Sequence, residues 1–223
     1  ENPKYMMDPS PAELDKWLEA SKGMLKKISL APERPGTPAF VSYAVSRGVK
    51  VALGHSSASY DQTKAAAQAG ATIFTHTFNG MPDFSMALEN MDNELIADGH
   101  HVTPSAIKAL LAAKGKDHIV LITDCMEAGM MPDGDYMLGE LPVYVKDVMA
   151  RLKEGDNLAG SVLQLKDGVK NLVDWGLAGK EEAVLMASYN PARSQGLLDK
   201  CGAIRPGLPA DFLILKDDMS LVK

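Results

Sequence analysis

Short apolar runs separated by capped helices repeat along most of this chain, and that alternation leaves few folds open to it. Ile28-Ser29-Leu30-Ala31, Val49-Lys50-Val51-Ala52-Leu53, Ala71 to Thr75, Glu94-Leu95-Ile96-Ala97 and Ile119-Val120-Leu121-Ile122 read as strands. The intervening stretches read as helices: Pro38 to Arg47 stopped by Gly48, Tyr60 to Gln68 closed by Gly70, and Thr103-Pro104 through Leu111 closed by Gly115. Strand–helix alternation with short connections predicts a parallel sheet of βα units. The strands are continuous apolar runs, as expected when helices cover a sheet on both faces. Ahead of them, Ser10-Pro11-Ala12-Glu13 has the spacing of a capping box, with Leu14, Trp17 and Leu18 at helical intervals and Gly23 as the stop.

The later chain is less regular. The stretch from Cys125 to Asn157 is rich in Gly, Met and Pro, with a hairpin expected from Tyr136-Met137-Leu138 and Leu141 to Val145. Ser161-Val162-Leu163-Gln164 has the spacing of a second capping box, for a helix running to Trp175. A helix from Lys180 to Ser188 is expected to break at Asn190-Pro191, with a short helix from Ala192 to Leu197 after it. Gly202 to Gly207 reads as a turn, and Ala210 to Leu215 as a strand of a separate β element.

Composition narrows the function. With 23 Lys+Arg against 29 Asp+Glu, the formal net charge is −6, which argues against nucleic acid as partner. No apolar run approaches the roughly 18 residues of a membrane span. Cys125 and Cys201 are the only cysteines, so no disulfide framework or cysteine zinc site is expected, and a reducing cytoplasm fits. No Walker loop or dinucleotide fingerprint occurs. The 223 residues fall short of the roughly 250 of a complete (β/α)₈ barrel. The chain opens on Glu1-Asn2-Pro3 and not on Met, and reads as part of a longer protein.

The polar residues fall in register. His55, His76, the His100-His101 pair and Asp124 each follow a predicted strand, and barrels build their sites at the C-terminal ends of strands. Imidazoles there can hold a divalent metal, and a carboxylate can move protons for a hydrolysis. Taken one at a time, each has a plainer role. A strand-end His can be a hydrogen-bonded structural residue. Asp61, Asp92, Asp98 and Asp124 can cap turns, and Cys125 can be a small buried hydrophobe. Thr77-Phe78-Asn79-Gly80 can hold an anion or be a simple turn. Leu158-Ala159-Gly160, ahead of a helix, can meet a ligand or merely pack.

Six runs then occur in order: Gly54-His55-Ser56, Thr75-His76-Thr77-Phe78-Asn79-Gly80-Met81, Glu94-Leu95-Ile96-Ala97-Asp98-Gly99-His100-His101-Val102, Thr123-Asp124, Asn157-Leu158-Ala159-Gly160-Ser161 and Asn190-Pro191-Ala192. They resemble the N-acetylglucosamine-6-phosphate deacetylase family of the amidohydrolase superfamily, and Ile204-Arg205-Pro206-Gly207 through Ala210-Asp211-Phe212 is similar to that superfamily's tail. The resemblance implies an α/β fold, a metal-dependent TIM barrel represented here by strands four to eight, with part of a small β-sandwich. Residues 1–200 would then be barrel, incomplete at its start, and 201–223 would join the small β domain.

The same resemblance implies His55 and His76 as metal ligands, Asp124 as the catalytic aspartate, and Asn79, Gly80, His101, Leu158, Ala159 and Gly160 as substrate contacts. It implies a divalent cofactor (zinc or iron), a phosphorylated amino sugar as substrate, no nucleic-acid or membrane partner, a homodimer, and a place in amino-sugar catabolism and cell-wall recycling. The sequence departs from the family in three places. A Glu-Gly-Pro run carrying the third ligand has no match, Glu1 stands where a His usually precedes Asn-Pro, and Pro82-Asp83-Phe84 runs straight into Ser85-Met86-Ala87 where the family has a His-His-Arg loop. A segment omitted between Phe84 and Ser85 is therefore expected. Two other readings stay open: an amidohydrolase acting on another N-acyl sugar or a cyclic amide, and a sugar-phosphate-binding relative without turnover.

Overall fold

The computed structural model describes residues 3–81 and 90–222, and the junction between Phe84 and Ser85 lies outside the described residues. The chain divides into two units, Glu1–Glu94 and Leu95–Lys223, with the boundary inside a strand.

In the first unit, α1 (Pro11–Ala20) starts where Ser10 Oγ accepts the Glu13 N–H at 3.4 Å. It leads to β1 (Lys27–Leu30), α2 (Thr37–Ser46), β2 (Lys50–Leu53), α3 (Tyr60–Gln68), β3 (Ile73–Phe74) and β4 (Asp92–Ile96). A full capping box opens α3. Ser59 Oγ accepts the Gln62 N–H at 3.4 Å, and the Ser59 N–H donates to Gln62 Oε1 at 2.8 Å. β1 pairs with β2, β2 with β3 and β3 with β4, all parallel. The strand expected over Ala71 to Thr75 shortens to two residues, Ile73–Phe74.

This sheet is curled. β1 and β4 are three strands apart, about 14 Å in a flat sheet. Yet Lys27 of β1 forms an ion pair with Glu94 of β4, and Ser29 Oγ lies 3.3 Å from Thr75 Oγ1 just beyond β3. Lys27 and Glu94 meet across two intervening strands, and the short side chains of Ser29 and Thr75 across one, so the sheet curls toward this face. Outside the curl, Leu14, Phe40, Val41, Ala44, Val51, Leu53 and Phe74 form one apolar cluster.

In the second unit, α4 (Pro104–Lys114) starts on Thr103, whose Oγ1 accepts the Ala106 N–H, and leads to β5 (Ile119–Ile122). The expected hairpin forms from β6 (Gly134–Leu138) and β7 (Leu141–Lys146). A third antiparallel strand, β8 (Met149–Leu152), extends it. Its run, Met-Ala-Arg-Leu, carries no β-branched residue to announce it. Val143, Val145 and Ala150 pack from this meander against Met126, Ala128 and Ala159.

Three expectations fail in this unit. Ser161 does not cap the next helix: α5 (Leu165–Asp174) begins after Gln164 with no side-chain cap. The Ser161 hydroxyl instead bonds to the Thr123 carbonyl and accepts the Leu163 N–H at 3.1 Å. Asn190-Pro191 does not separate helices. After α6 (Lys180–Ala187), α7 (Tyr189–Ser194) takes in both residues, because a first-turn proline gives up no helical hydrogen bond. Asn190 is buried, and its Nδ2 donates to the carbonyls of Lys116 at 2.9 Å and Ile119 at 2.8 Å.

The strand expected over Ala210 to Leu215 does not form. Only Leu215 pairs, in an isolated bridge to Leu221. A strand needs a ladder partner, and here the pairing stops at that bridge and one bond beside it, from the Val222 N–H to the Ile214 carbonyl at 2.8 Å, while the side chains of Phe212, Leu213 and Ile214 lie exposed. Nor is any described helix long and apolar enough to cross a membrane.

Candidate active site

Four chemically competent residues share one position relative to their strands. His55, His76, Asp98 and Asp124 each stand two residues beyond the end of β2, β3, β4 and β5 respectively. Three of them hold left-handed backbone, with φ of 47° at His55, 30° at His76 and 51° at Asp124. A non-glycine residue pays roughly 1–3 kcal/mol for such a conformation, and it persists where surrounding structure enforces it, often at functional sites.

In the first unit, His55 and His76 converge. Their Nε2 atoms lie 2.7 Å apart, with ring centroids separated by 4.5 Å and planes at 77°. His76 is 5% exposed. Its Nδ1 is 3.0 Å from the Asn79 carbonyl oxygen. A carbonyl can only accept, so Nδ1 is the donor, and the neutral ring with this tautomer turns its Nε2 lone pair toward His55. A backbone carbonyl on the far nitrogen is also how proteins orient a metal-binding imidazole.

The Thr77-Phe78-Asn79-Gly80 turn wraps this pair. The Ser56 N–H donates to the Gly80 carbonyl at 2.8 Å, and a Cβ at Gly80 would lie 3.5 Å from His55 Cα. The Asn79 Nδ2 atom is buried with no hydrogen-bond partner among the described residues. A buried amide N–H₂ without a partner costs free energy unless a ligand satisfies it.

In the second unit, His101 is tied to Asp98. Asp98 Oδ2 lies 2.6 Å from His101 Nδ1, while Oδ1 accepts the backbone N–H groups of His100 and His101, each at 2.8 Å. Burial pushes the Asp98 carboxyl up. Bonds from the His101 ring and backbone and the His100 backbone outweigh that and hold it below the usual carboxylate range. Asp98 therefore does cap backbone N–H groups, as its residue type suggested. Its bond to the His101 ring went unread, although Asp98-Gly99-His100-His101 puts the two at a spacing that such a turn closes.

Asp124 and the Leu158-Ala159-Gly160 run come together in the same unit. The Asp124 carbonyl accepts the Ser161 N–H at 2.8 Å, and the Met126 N–H donates to the Ser161 carbonyl at 2.9 Å. Gly160 has φ 62°, and a Cβ there would stand 3.0 Å from the Asp124 carbonyl oxygen, so this close approach needs glycine. Ala159 is buried, whereas Asp124 is exposed to solvent.

The Amidohydrolase family model matches residues 10–223. The chain belongs to the amidohydrolase family. It is 40% identical to an N-acetylglucosamine-6-phosphate deacetylase of Vibrio furnissii, over 95% of this chain and 55% of that protein. It is 37% identical to an N-acetylgalactosamine-6-phosphate deacetylase of Escherichia coli O157:H7, over 96% of this chain and 59% of the relative. Among solved structures, it is similar to the Mycobacterium smegmatis N-acetyl-D-glucosamine-6-phosphate deacetylase, a mutant in complex with N-acetyl-D-glucosamine-6-phosphate. There the TM-score is 0.92 at 35% identity, over 99% of this chain and 61% of that one. The chain thus spans little more than half the length of the curated relatives it matches. Its fold is of the amidohydrolase type, α/β with a parallel sheet.

Amidohydrolase family members are metal-dependent, and His55 and His76 suit that requirement. Two nitrogens on one tetrahedral ion, each about 2.0–2.1 Å from it, lie about 3.3 Å apart, so the pair needs only a small separation to share a cation. No group of three or more His, Cys, Asp or Glu side chains able to hold an ion occurs among the described residues.

Proposed function

We propose that the protein carrying this chain hydrolyses the acetamide of N-acetylglucosamine 6-phosphate, giving glucosamine 6-phosphate and acetate. The observation that carries the reading is the convergent His55–His76 pair, its tautomer set by the Asn79 carbonyl. The substrate class rests on the likeness to the deacetylases. In the same reading, β1 to β5 are strands four to eight of a barrel, and a carboxylate from elsewhere in the protein completes the ligand set. The whole enzyme is a cytoplasmic homodimer.

A bound divalent metal, zinc or iron, would polarise the acetyl carbonyl and acidify a water molecule. Asp124 takes the proton from that water as its oxygen bonds to the acetyl carbon. When the C–N bond breaks, Asp124 returns the proton to the departing amine, acting first as base and then as acid. His101, its Nδ1 committed to Asp98, has Nε2 left for the sugar. Asn79 Nδ2 supplies an N–H donor for the sugar phosphate beside Gly80. With Leu158, Ala159 and Gly160, these contacts orient the acetamide for attack.

In the complete protein, Asp124→Asn is expected to keep its metal and lose about 10²- to 10⁴-fold in kcat for acetate release. His76→Ala is expected to lower metal content. Near-normal turnover in the first variant, or unchanged metal stoichiometry in the second, overturns the assignment of that residue. Assaying the galacto epimer in parallel separates the two substrates named among the relatives, and faster release from it would move the reading there.

A further inference from the structure

We infer that Glu33 is a positioning residue for His55: from the loop after β1 it clamps the two residues that follow His55, and so presets the imidazole pair. Glu33 Oε2 accepts the Ser56 hydroxyl at 2.7 Å, and Oε1 accepts the Ser57 N–H at 2.7 Å. The Ser56 hydroxyl in turn accepts the Ala58 N–H at 2.9 Å. Left-handed backbone at His55 needs enforcement from outside. On the preceding side, a Cβ at Gly54 would fall 2.7 Å from Thr75 Cβ, so the chain is pressed against the residue next to His76. On the following side, Ser56 is held by Gly80 through its N–H and by Glu33 through its hydroxyl.

Burial pushes the Glu33 carboxyl up, but bonds from the Ser57 N–H and Ser56 hydroxyl, with the Arg34 guanidinium near, more than offset this. Both clamping bonds therefore end on an ionised carboxylate at neutral pH, and such bonds are about twice as strong as neutral ones. Glu33 touches neither ring of the pair in these contacts. Its effect is to fix where the His55 ring starts from, so that binding a cation does not have to order the loop first.

The inference rests on the reading of His55 as a metal ligand, and the test separates the two. The complete protein is stripped of metal, and zinc affinity is measured by chelator competition for wild type, Glu33→Gln, His55→Ala and the double variant. Glu33→Gln is expected to bind zinc about 10-fold more weakly or worse, while the metal-free protein stays folded at the assay temperature. The double variant is expected to be no weaker than His55→Ala alone, because Glu33 acts through His55. If Glu33→Gln binds as wild type while His55→Ala is weakened, the inference falls and the ligand reading stands. A double variant weakened by both factors together also overturns it. If His55→Ala binds zinc as wild type does, the ligand reading falls, and the inference with it. Should Glu33→Gln not fold, Ser56→Ala removes the hydroxyl bond to Glu33, together with the Ala58 N–H bond to the same oxygen, and leaves the Ser57 clamp in place. It is expected to weaken zinc by a smaller factor, and wild-type affinity there counts against the inference.

Discussion

At His101 the ring is held through Nδ1 by the Asp98 carboxylate, and that carboxylate carries a pH signature. Its folded pKa is depressed, so the fold favours the ionised carboxylate. The resulting stabilisation is complete above the ordinary Asp value of about 3.9 and is lost as pH falls through the lower folded value. Asp98→Asn is therefore expected to be less stable than wild type by about 2 kcal/mol at pH 7. That gap should close as pH drops below about 4. Urea unfolding at a series of pH values checks this, and a gap independent of pH would show that the charge on Asp98 is not what matters. The placement of polar residues at this scale was legible in part. That His55, His76 and Asp124 each follow a strand could be read from residue type and pattern. Hydrogen-bond partners were not: Glu33 is separated from Ser56 by the whole of α2 and β2, and only folding brings them together.

Element ends are where the strand and helix code is clearest and also where it misleads. Ser10, Ser59 and Thr103 cap helices as hydroxyl residues should. Ser161 has the same spacing and does something else, because the Thr123 carbonyl offers its hydroxyl a partner in another segment. Local pattern cannot register that competition. The same kind of non-local constraint falls on Gly54, the last residue before His55. Its backbone is compatible with any side chain, but the space beside it is taken by Thr75. Gly54→Ala is expected to lower stability by about 1–3 kcal/mol through overpacking, seen as a lower Tm. An unchanged Tm would mean that β2 and the turn after β3 can separate without cost.

Across the first unit as a whole, the sheet carries a charge pair on the face toward which it curls. Lys27 and Glu94 meet there, Glu94 almost fully buried. Removing one partner leaves the other charge without compensation, which typically costs about 3–5 kcal/mol. Lys27→Met is expected to fall near the lower end, since Lys27 is partly exposed, and Lys27→Met with Glu94→Leu should recover most of the loss. Denaturant unfolding of the three variants measures this, and a double variant as unstable as the single one would give the pair a role beyond charge balance. The sequence by itself determined the βα alternation, the parallel sheet and the strand-end placement of the polar residues, because these follow from periodicity, caps and apolar runs within a few residues of one another. Tertiary structure alone decided the curl of the sheet, the facing Nε2 atoms of His55 and His76, the third strand of the meander and the unladdered tail. Each of those depends on a partner far away in the chain, and a local pattern carries no record of which distant group will satisfy a hydrogen bond, a charge or a strand edge.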